Sequence, residues 1–123
     1  MTVNPIHHRP YQKLIVWNEA HVLCKFIYNL TIRFPDYEKF ALANQMRKSS
    51  YSVPTNIAEG TGKKSLKERD HFFAYSSCSL EELHYQCLLA RDLGYITQAE
   101  FDEADEKIRK VSYLLMRLRN TLK

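Results

Sequence analysis

Glycine and proline are scarce in this chain of 123 residues, which contains three glycines and four prolines. So few turn-forming residues argue against a β sandwich and favour a few long helices joined by short loops. No stretch approaches the roughly 20 apolar residues that a membrane span requires. With 45% apolar and 26% charged residues, the composition fits one globular domain and excludes a disordered acidic tail.

Cysteine is also sparse, since Cys24, Cys78 and Cys87 form an odd-numbered set without a C-x-x-C spacing. Such a set does not make a disulfide framework and indicates a reducing compartment. Residues 1–10 contain no apolar run of the kind found in a signal peptide. We therefore expect a cytoplasmic protein with no membrane association.

Motifs for nucleophilic catalysis and phosphate binding are missing as well. The sequence has no G-x-S-x-G motif. The stretch from Gly60 to Ser65 lacks the spacing of a phosphate-binding loop. It also follows a predicted helix, whereas a phosphate-binding loop follows a strand. We therefore expect no enzymatic activity, no catalytic residue and no cofactor.

Metal-ligand spacings occur, but in unfavourable places. The E-x-x-H pairs that start at Glu68 and Glu81 lie on one predicted helix, whereas a di-iron site takes such pairs from different helices. The pairs His21-x-x-Cys24 and His84-x-x-Cys87 would form a zinc site only if helices one and three were adjacent. We expect buried free cysteine there, and no metal site.

Four segments carry apolar residues at helical spacing. The first begins at Lys13 and stops at Pro35, with Val16, Ala20, Leu23, Ile27, Leu30 and Phe34 as its seam. The second runs from about Asp36 to Glu59 and ends at Gly60, a residue type common just after helices. Pro54 lies inside this second helix, where we expect a kink; the alternative is a separate short helix over 54–59.

The third and fourth helices have clear start signals. Ser65 to Glu68 and Thr97 to Glu100 both fit the capping box, and Gly94 ends the third helix. Four such helices with short loops predict an all-α fold, an antiparallel up-and-down four-helix bundle over residues 13–123. We expect residues 1–12 to form a flexible N-terminal arm because two prolines interrupt them.

Basic residues form the main candidate functional surface. The net charge is +4, a modest excess that favours polyanions, and the basic side chains cluster on helices two and four and the loop after helix two. Candidate contacts to nucleic-acid phosphates are Arg47, Lys48, Lys63, Lys64, Lys107, Arg109, Lys110, Arg117 and Arg119. The alternative is a solvated helix face without a ligand.

Apolar residues exceed what one narrow seam requires. Helix one has a second stripe, Trp17, His21, Cys24 and Tyr28, and helix three adds Phe72 and Tyr75. In a monomer these side chains would widen the core contact; in an oligomer they would form a subunit interface, where aromatic residues are enriched. We favour the oligomer and take Trp17, His21 and Tyr28 as candidate interface residues.

Several motifs resemble one bacterial family. The segment Tyr11 to Trp17, the stretch Gln45 to Gly60 with its Pro-Thr-Asn-Ile-Ala-Glu-Gly ending, and Ala90 to Ile96 are similar to the four-helix-bundle proteins encoded in 23S rRNA intervening sequences. The resemblance implies a four-helix bundle that assembles as a ring-like homopentamer, with no catalytic residues. A related accessory protein of diversity-generating retroelements has a basic surface that engages nucleic acid and a reverse transcriptase.

Two polar residues of this motif need partners. Glu59 lies in the last turn of the predicted second helix, where its charge opposes the helix dipole, and Asn56 is placed to bond a loop carbonyl. We predict that Asn56 and Glu59 fix the loop 60–64 or a subunit contact.

The sequence therefore predicts a non-enzymatic, homo-oligomeric helical bundle that binds RNA or another nucleic acid through its basic face. The alternative is a protein–protein adaptor whose oligomeric surface recruits a partner, with the basic residues incidental. Steep loss of affinity with salt is expected of the first and not of the second.

Overall fold

The apolar spacing of the chain produces four helices. A computed structural model describes residues 9–123, which contain α1 (Ile15–Thr31), α2 (Leu42–Thr61), α3 (Leu66–Asp92) and α4 (Gln98–Asn120), with no strand among them. All six seam residues predicted for the first helix are buried, Phe34 just beyond the end of α1. The predicted all-α, four-helix fold is confirmed; a ring-like oligomer stays a prediction.

Each helix packs against two of the other three helices. α1 contacts α2 and α4, α3 contacts the same two helices, and no Cα atoms of the diagonal pairs α1–α3 and α2–α4 lie within 8 Å of each other in residues 9–123. Contacts between α3 and α4 show the antiparallel direction, because Asp70 near the start of α3 pairs with Arg119 near the end of α4. The up-and-down arrangement follows from this order.

The second helix starts later than the sequence predicts. Asp36–Glu38 form a short 3-10 turn, and Ala41 leaves the helical region with φ −119° and ψ −107°, so that α2 begins at Leu42. The Tyr95 hydroxyl, from the loop after α3, donates a 2.7 Å hydrogen bond to Oε2 of Glu38. The predicted start at about Asp36 was wrong, because the chain leaves the helical conformation at Ala41.

The end of α2 also differs, since the helix continues through Gly60 to Thr61. Gly60 is buried at the contact with α3, where an added Cβ would lie 2.7 Å from a ring carbon of Phe73 and 3.0 Å from the Arg69 carbonyl oxygen. Gly60 therefore serves close helix packing and not termination. Pro54 lies inside the same continuous helix, so the alternative of a separate helix over 54–59 was wrong.

Both predicted capping signals start a helix. At Thr97 the box is reciprocal: the Thr97 hydroxyl accepts from the Glu100 N–H at 3.1 Å, and a Glu100 carboxylate oxygen accepts from the Thr97 N–H at 2.9 Å. At Ser65 the hydroxyl accepts from the Glu68 N–H at 3.3 Å. Gly94, with φ +81°, adopts the left-handed conformation expected of the residue that stops α3.

The described chain begins with folded contacts. Pro10–Lys13 form a 3-10 turn, and the Tyr11 ring lies edge-on to the Trp17 ring with 5.0 Å between centroids. The predicted arm of residues 1–12 therefore makes contact with the bundle at its last residues, while residues 1–8 lie outside the described part.

Candidate nucleic-acid interface

The nine basic residues predicted to contact nucleic acid do not share one face. Arg47 and Lys48 lie in the first half of α2, whereas Lys63 and Lys64 follow its end, so the helix length separates the two pairs. Lys107, Arg109 and Lys110 lie along the middle of α4, and Arg117 and Arg119 near its end. The single basic face expected from the sequence is thus divided along the bundle.

Two of these cations tie helices together. The Nε of Arg47 donates to Oγ1 of Thr31 at 2.8 Å, and its guanidinium lies 5.1 Å from the centre of the Tyr28 ring. Arg119 binds Asp70 with two hydrogen bonds, from Nε to Oδ1 at 2.8 Å and from Nη2 to Oδ2 at 3.2 Å. These side chains fasten α2 to α1 and α4 to α3.

The three cations in the middle of α4 have acidic partners. Lys107 pairs with Glu103 at 3.5 Å and Arg109 with Asp105 at 3.2 Å, both one turn earlier on the same helix. Lys110 reaches across to Glu19 of α1 at 3.3 Å. Because each charge is balanced locally, this part of the predicted surface offers little net attraction to phosphate.

Five of the nine cations have no carboxylate within 4 Å in residues 9–123: Arg47, Lys48, Lys63, Lys64 and Arg117. Three of them lie at the end of the bundle that contains the α2–α3 loop and the end of α4. Attraction of an anion by the predicted basic residues therefore depends mainly on the net charge of this end of the bundle.

Charge is polarised along the bundle axis. We define the basic end as residues 9–14, 59–70 and 117–123, which together hold nine basic and three acidic residues. The far end, residues 31–42 and 90–103, holds three basic and six acidic residues. The positive potential of the molecule is therefore concentrated at the basic end, although its net charge is small.

The set predicted from the sequence omits five cations of the basic end, namely Arg9, Lys13, Lys67, Arg69 and Lys123. The up-and-down topology brings their segments to one end of the bundle. Summing charge by bundle end, and not by chain segment, would have found them. This signal was available once four antiparallel helices were predicted.

The α2–α3 loop is fixed by Arg69, whose Nε donates to the Lys63 carbonyl at 2.6 Å. The predicted candidates act elsewhere: the Asn56 amide nitrogen donates to the Ser52 carbonyl at 2.9 Å and to its hydroxyl at 3.1 Å, within α2. Glu59 is exposed, and its side chain has no hydrogen-bond or ion-pair partner in residues 9–123. A subunit contact through either residue stays a prediction.

The Asp70–Arg119 pair sets the electrostatics of the groove between α3 and α4 at the basic end. Hydrogen bonds from the Arg119 guanidinium lower the pKa of the Asp70 carboxyl, although partial burial opposes this, and Lys123 adds to the lowering. The same bonds raise the pKa of Arg119. Both groups are therefore fully charged at neutral pH and neutralise each other, which leaves Lys123 as the unbalanced charge of this groove.

Two of the three interface candidates on α1 line a groove between α1 and α2. The rings of Trp17 and His21 stack with centroids 5.3 Å apart, and Tyr11, Tyr51 and Glu59 are among the other residues that line the groove. Tyr28 lies further along the same helix, beneath Arg47. The second apolar stripe thus forms a partly exposed aromatic surface.

The metal hypotheses depend on helix order. Since α1 and α3 are diagonal, the two His-Cys pairs do not share an interface, and residues 9–123 contain no group of three or more potential metal-ligating side chains. Burial raises the pKa of the Cys87 thiol to about 12, so it stays protonated. Among the helices of residues 9–123, none is long and apolar enough to cross a membrane.

These features define a small up-and-down helical bundle whose candidate site is a charged surface at one end. The family model for the 23S rRNA-intervening sequence protein matches residues 12–117. The chain therefore belongs to this family, which confirms the resemblance found in the sequence.

Comparison with solved structures supports the same fold. A crystal structure of a protein of unknown function from the S23 ribosomal protein family of Bacteroides thetaiotaomicron is similar, with a TM-score of 0.79 and 20% identity. The match covers 85% of this chain and 98% of that one. No curated protein matches the chain.

Proposed function

We propose that the protein binds RNA or another nucleic acid through its basic end, as a non-enzymatic homo-oligomer. The observation that carries this proposal is the charge polarity of the bundle, with nine basic and three acidic residues at one end. A nucleic acid presents closely spaced phosphates, and its affinity for a protein grows with the number of cations that replace condensed counterions.

The structure changes which residues we assign to phosphate contact. From the predicted set we retain Lys63, Lys64 and Arg117 and add Lys67 and Lys123, which lie at the same end. The loop that carries Lys63 is held by Arg69. Binding through its cations therefore does not require the whole loop to become ordered, which would cost conformational entropy. We do not assign Lys107, Arg109 and Lys110 to phosphate contact, because each pairs with a carboxylate of the bundle.

Fluorescence anisotropy against a structured RNA hairpin, at low and near-physiological salt, tests this function. We expect saturable binding at low salt. The logarithm of the association constant should fall linearly with the logarithm of the salt concentration, with a slope of several units. Absence of binding at low salt would contradict the proposal.

Assembly is the second part of the proposal, because the groove between α1 and α2 leaves Trp17, His21 and Tyr51 partly exposed, and aromatic residues are enriched in subunit interfaces. The family resemblance implies a ring-like homopentamer. Native mass spectrometry measures the number of copies, and Tyr51→Ala, on the rim of the groove, should shift the population toward monomer. A monomeric wild-type protein at micromolar concentration would reject assembly.

A protein–protein adaptor is the alternative function, favoured by the same aromatic groove. An adaptor predicts neither RNA binding nor a salt-dependent affinity for it. The anisotropy experiment therefore separates the two functions.

A further inference from the structure

A compact aromatic cluster lies on the first turns of α3, beside the lysines of the basic end. We call His71, Phe72 and Tyr75 the α3 aromatic cluster. The His71 and Tyr75 rings have centroids 4.7 Å apart and planes inclined at 68°, and the Phe72 and Tyr75 centroids are 6.0 Å apart. Nε2 of His71 and the Tyr75 hydroxyl are hydrogen-bonded at 2.9 Å, which holds the two rings in this arrangement.

The cluster is accessible from solvent. Tyr75 is 49% exposed, His71 is exposed and Phe72 is half-buried. Phe73, the neighbour of Phe72, points into the core and is 2% exposed, so the helix divides its consecutive aromatics between the core and the surface. The exposed rings therefore do not belong to the core of a single bundle.

Lysine and aromatic groups meet at this cluster. Nζ of Lys63 lies 5.1 Å from the centre of the Phe72 ring, and Lys64 and Lys67 lie in the loop and first turn that lead into it. A surface that combines cations with exposed ring faces matches single-stranded nucleic acid, whose phosphates contact the cations while its bases stack on the rings.

From this juxtaposition we propose that the α3 aromatic cluster stacks unpaired bases, so that the preferred ligand is a single-stranded segment or loop and not a continuous duplex. The inference rests on the proposed nucleic-acid function and specifies its ligand. In a duplex both faces of an interior base are already stacked, so the rings gain little there, whereas an unpaired base adds contact area to the phosphate contacts.

Charge argues for this occupant over a symmetric contact with a second copy. A two-fold contact through the cluster would bring Lys63, Lys64 and Lys67 of one copy against the same residues of the other, because such an interface uses the same patch twice. Like charges in close apposition oppose that arrangement. A polyanion with exposed bases satisfies both the lysines and the rings.

The experiment compares ligands and ring variants of the full chain. The probes are a single-stranded oligonucleotide of about 12 nucleotides, within the range of single-strand site sizes, with one internal 2-aminopurine, and a blunt duplex of the same length. Binding is followed by anisotropy, and stacking by quenching of 2-aminopurine. Tyr75→Ala removes a ring, Tyr75→Phe retains it, and Tyr85→Ala is the matched control, since Tyr85 is 60% exposed on the same helix.

We expect the wild type to bind the single strand more tightly than the duplex and to quench 2-aminopurine. Tyr75→Ala should weaken single-strand binding by about 5- to 100-fold and reduce the quenching, whereas Tyr75→Phe and Tyr85→Ala should bind like the wild type. Circular dichroism checks that each variant is folded.

Equal affinity for strand and duplex, with no effect of Tyr75→Ala, would overturn the stacking inference while leaving the phosphate-binding proposal intact. An equal loss for Tyr75→Ala and Tyr85→Ala would overturn it too, because the effect would not belong to the cluster. Absence of binding to either probe at low salt would overturn both.

Discussion

At the scale of single residues, Gly60 sets how closely α2 approaches α3. A Cβ there would lie 2.7 and 2.9 Å from two ring carbons of Phe73 and 3.0 Å from the Arg69 carbonyl oxygen. Phe73 is 2% exposed, so a side chain at position 60 requires the Phe73 ring or the two helix backbones to shift within a packed core. We expect Gly60→Ala to lower the free energy of unfolding by about 1–3 kcal/mol, as overpacking does, measured by urea denaturation.

Gly62→Ala is the matched control because it lies two residues further on in an open site. A Cβ at Gly62 would be 3.6 Å from its nearest neighbour, the Glu59 carbonyl oxygen, and φ is −79°, which alanine adopts without strain. Its unfolding midpoint should match or exceed that of the wild type. Equal midpoints for Gly60→Ala and Gly62→Ala would contradict the packing role of Gly60.

Some partners of the basic residues follow from the sequence and others do not. Glu103 with Lys107, and Asp105 with Arg109, are spaced one helical turn apart, so local spacing predicts both pairs. Glu19 with Lys110, and Asp70 with Arg119, join residues far apart in the chain. Those pairs depend on the register between helices. The apolar seam of a helix does not determine that register to within one residue. The sequence alone therefore does not show which of the candidate cations have acidic partners, and their contact with nucleic acid stays a prediction.

At the scale of helices, the Asp70–Arg119 pair fastens the start of α3 to the end of α4. Arg119 lowers the pKa of Asp70 from its ordinary value of 3.8. Because the folded-state pKa lies below the unfolded one, the stabilisation is present above pH 3.8 and is lost as the pH falls through the folded-state pKa. Both side chains are partly exposed, so solvent limits the effect to about 1 kcal/mol or less.

Asp70→Asn tests this fastening. We expect it to lower the free energy of unfolding at pH 7 by about 0.2–1 kcal/mol, and the difference from the wild type should shrink as the pH falls below 3.8. Urea denaturation across this pH range measures it. Glu106→Gln, which removes an exposed carboxylate of α4, is the control and should have little effect. A difference for Asp70→Asn that is independent of pH would reject the electrostatic origin.

Helix starts were predictable where the signal is local. Ser65 and Thr97 carry their capping information within four residues, and α3 and α4 begin there. The start of α2 has no capping box: the chain turns at Asp36–Glu38, and Glu38 accepts hydrogen bonds both from the Leu42 N–H and from the Tyr95 hydroxyl in the loop after α3. The prediction that α2 ends at Gly60 was wrong for a related reason, since the role of Gly60 depends on Phe73 of the next helix.

At the scale of the molecule, the fold gathers basic residues from separate chain segments at one end of the bundle and acidic residues at the other. Segments separated in the chain, residues 9–14, 59–70 and 117–123, meet at the basic end, while acidic residues collect at the far end. A polyanion should therefore approach the bundle by that end, with the α3 aromatic cluster beside it. An oligomer that aligned its subunits would multiply this surface and raise affinity through multivalency.

The most direct test of this account is the salt dependence of RNA binding by two triple variants with the same net charge. Lys63→Gln/Lys64→Gln/Lys67→Gln removes three cations of the basic end, and Lys107→Gln/Arg109→Gln/Lys110→Gln removes three cations that have acidic partners. We expect the first variant to bind more weakly, with a log–log salt slope shallower by about 2–3 units, and the second to keep the wild-type slope. An equal change in both variants, or a larger one in the second, would contradict this account.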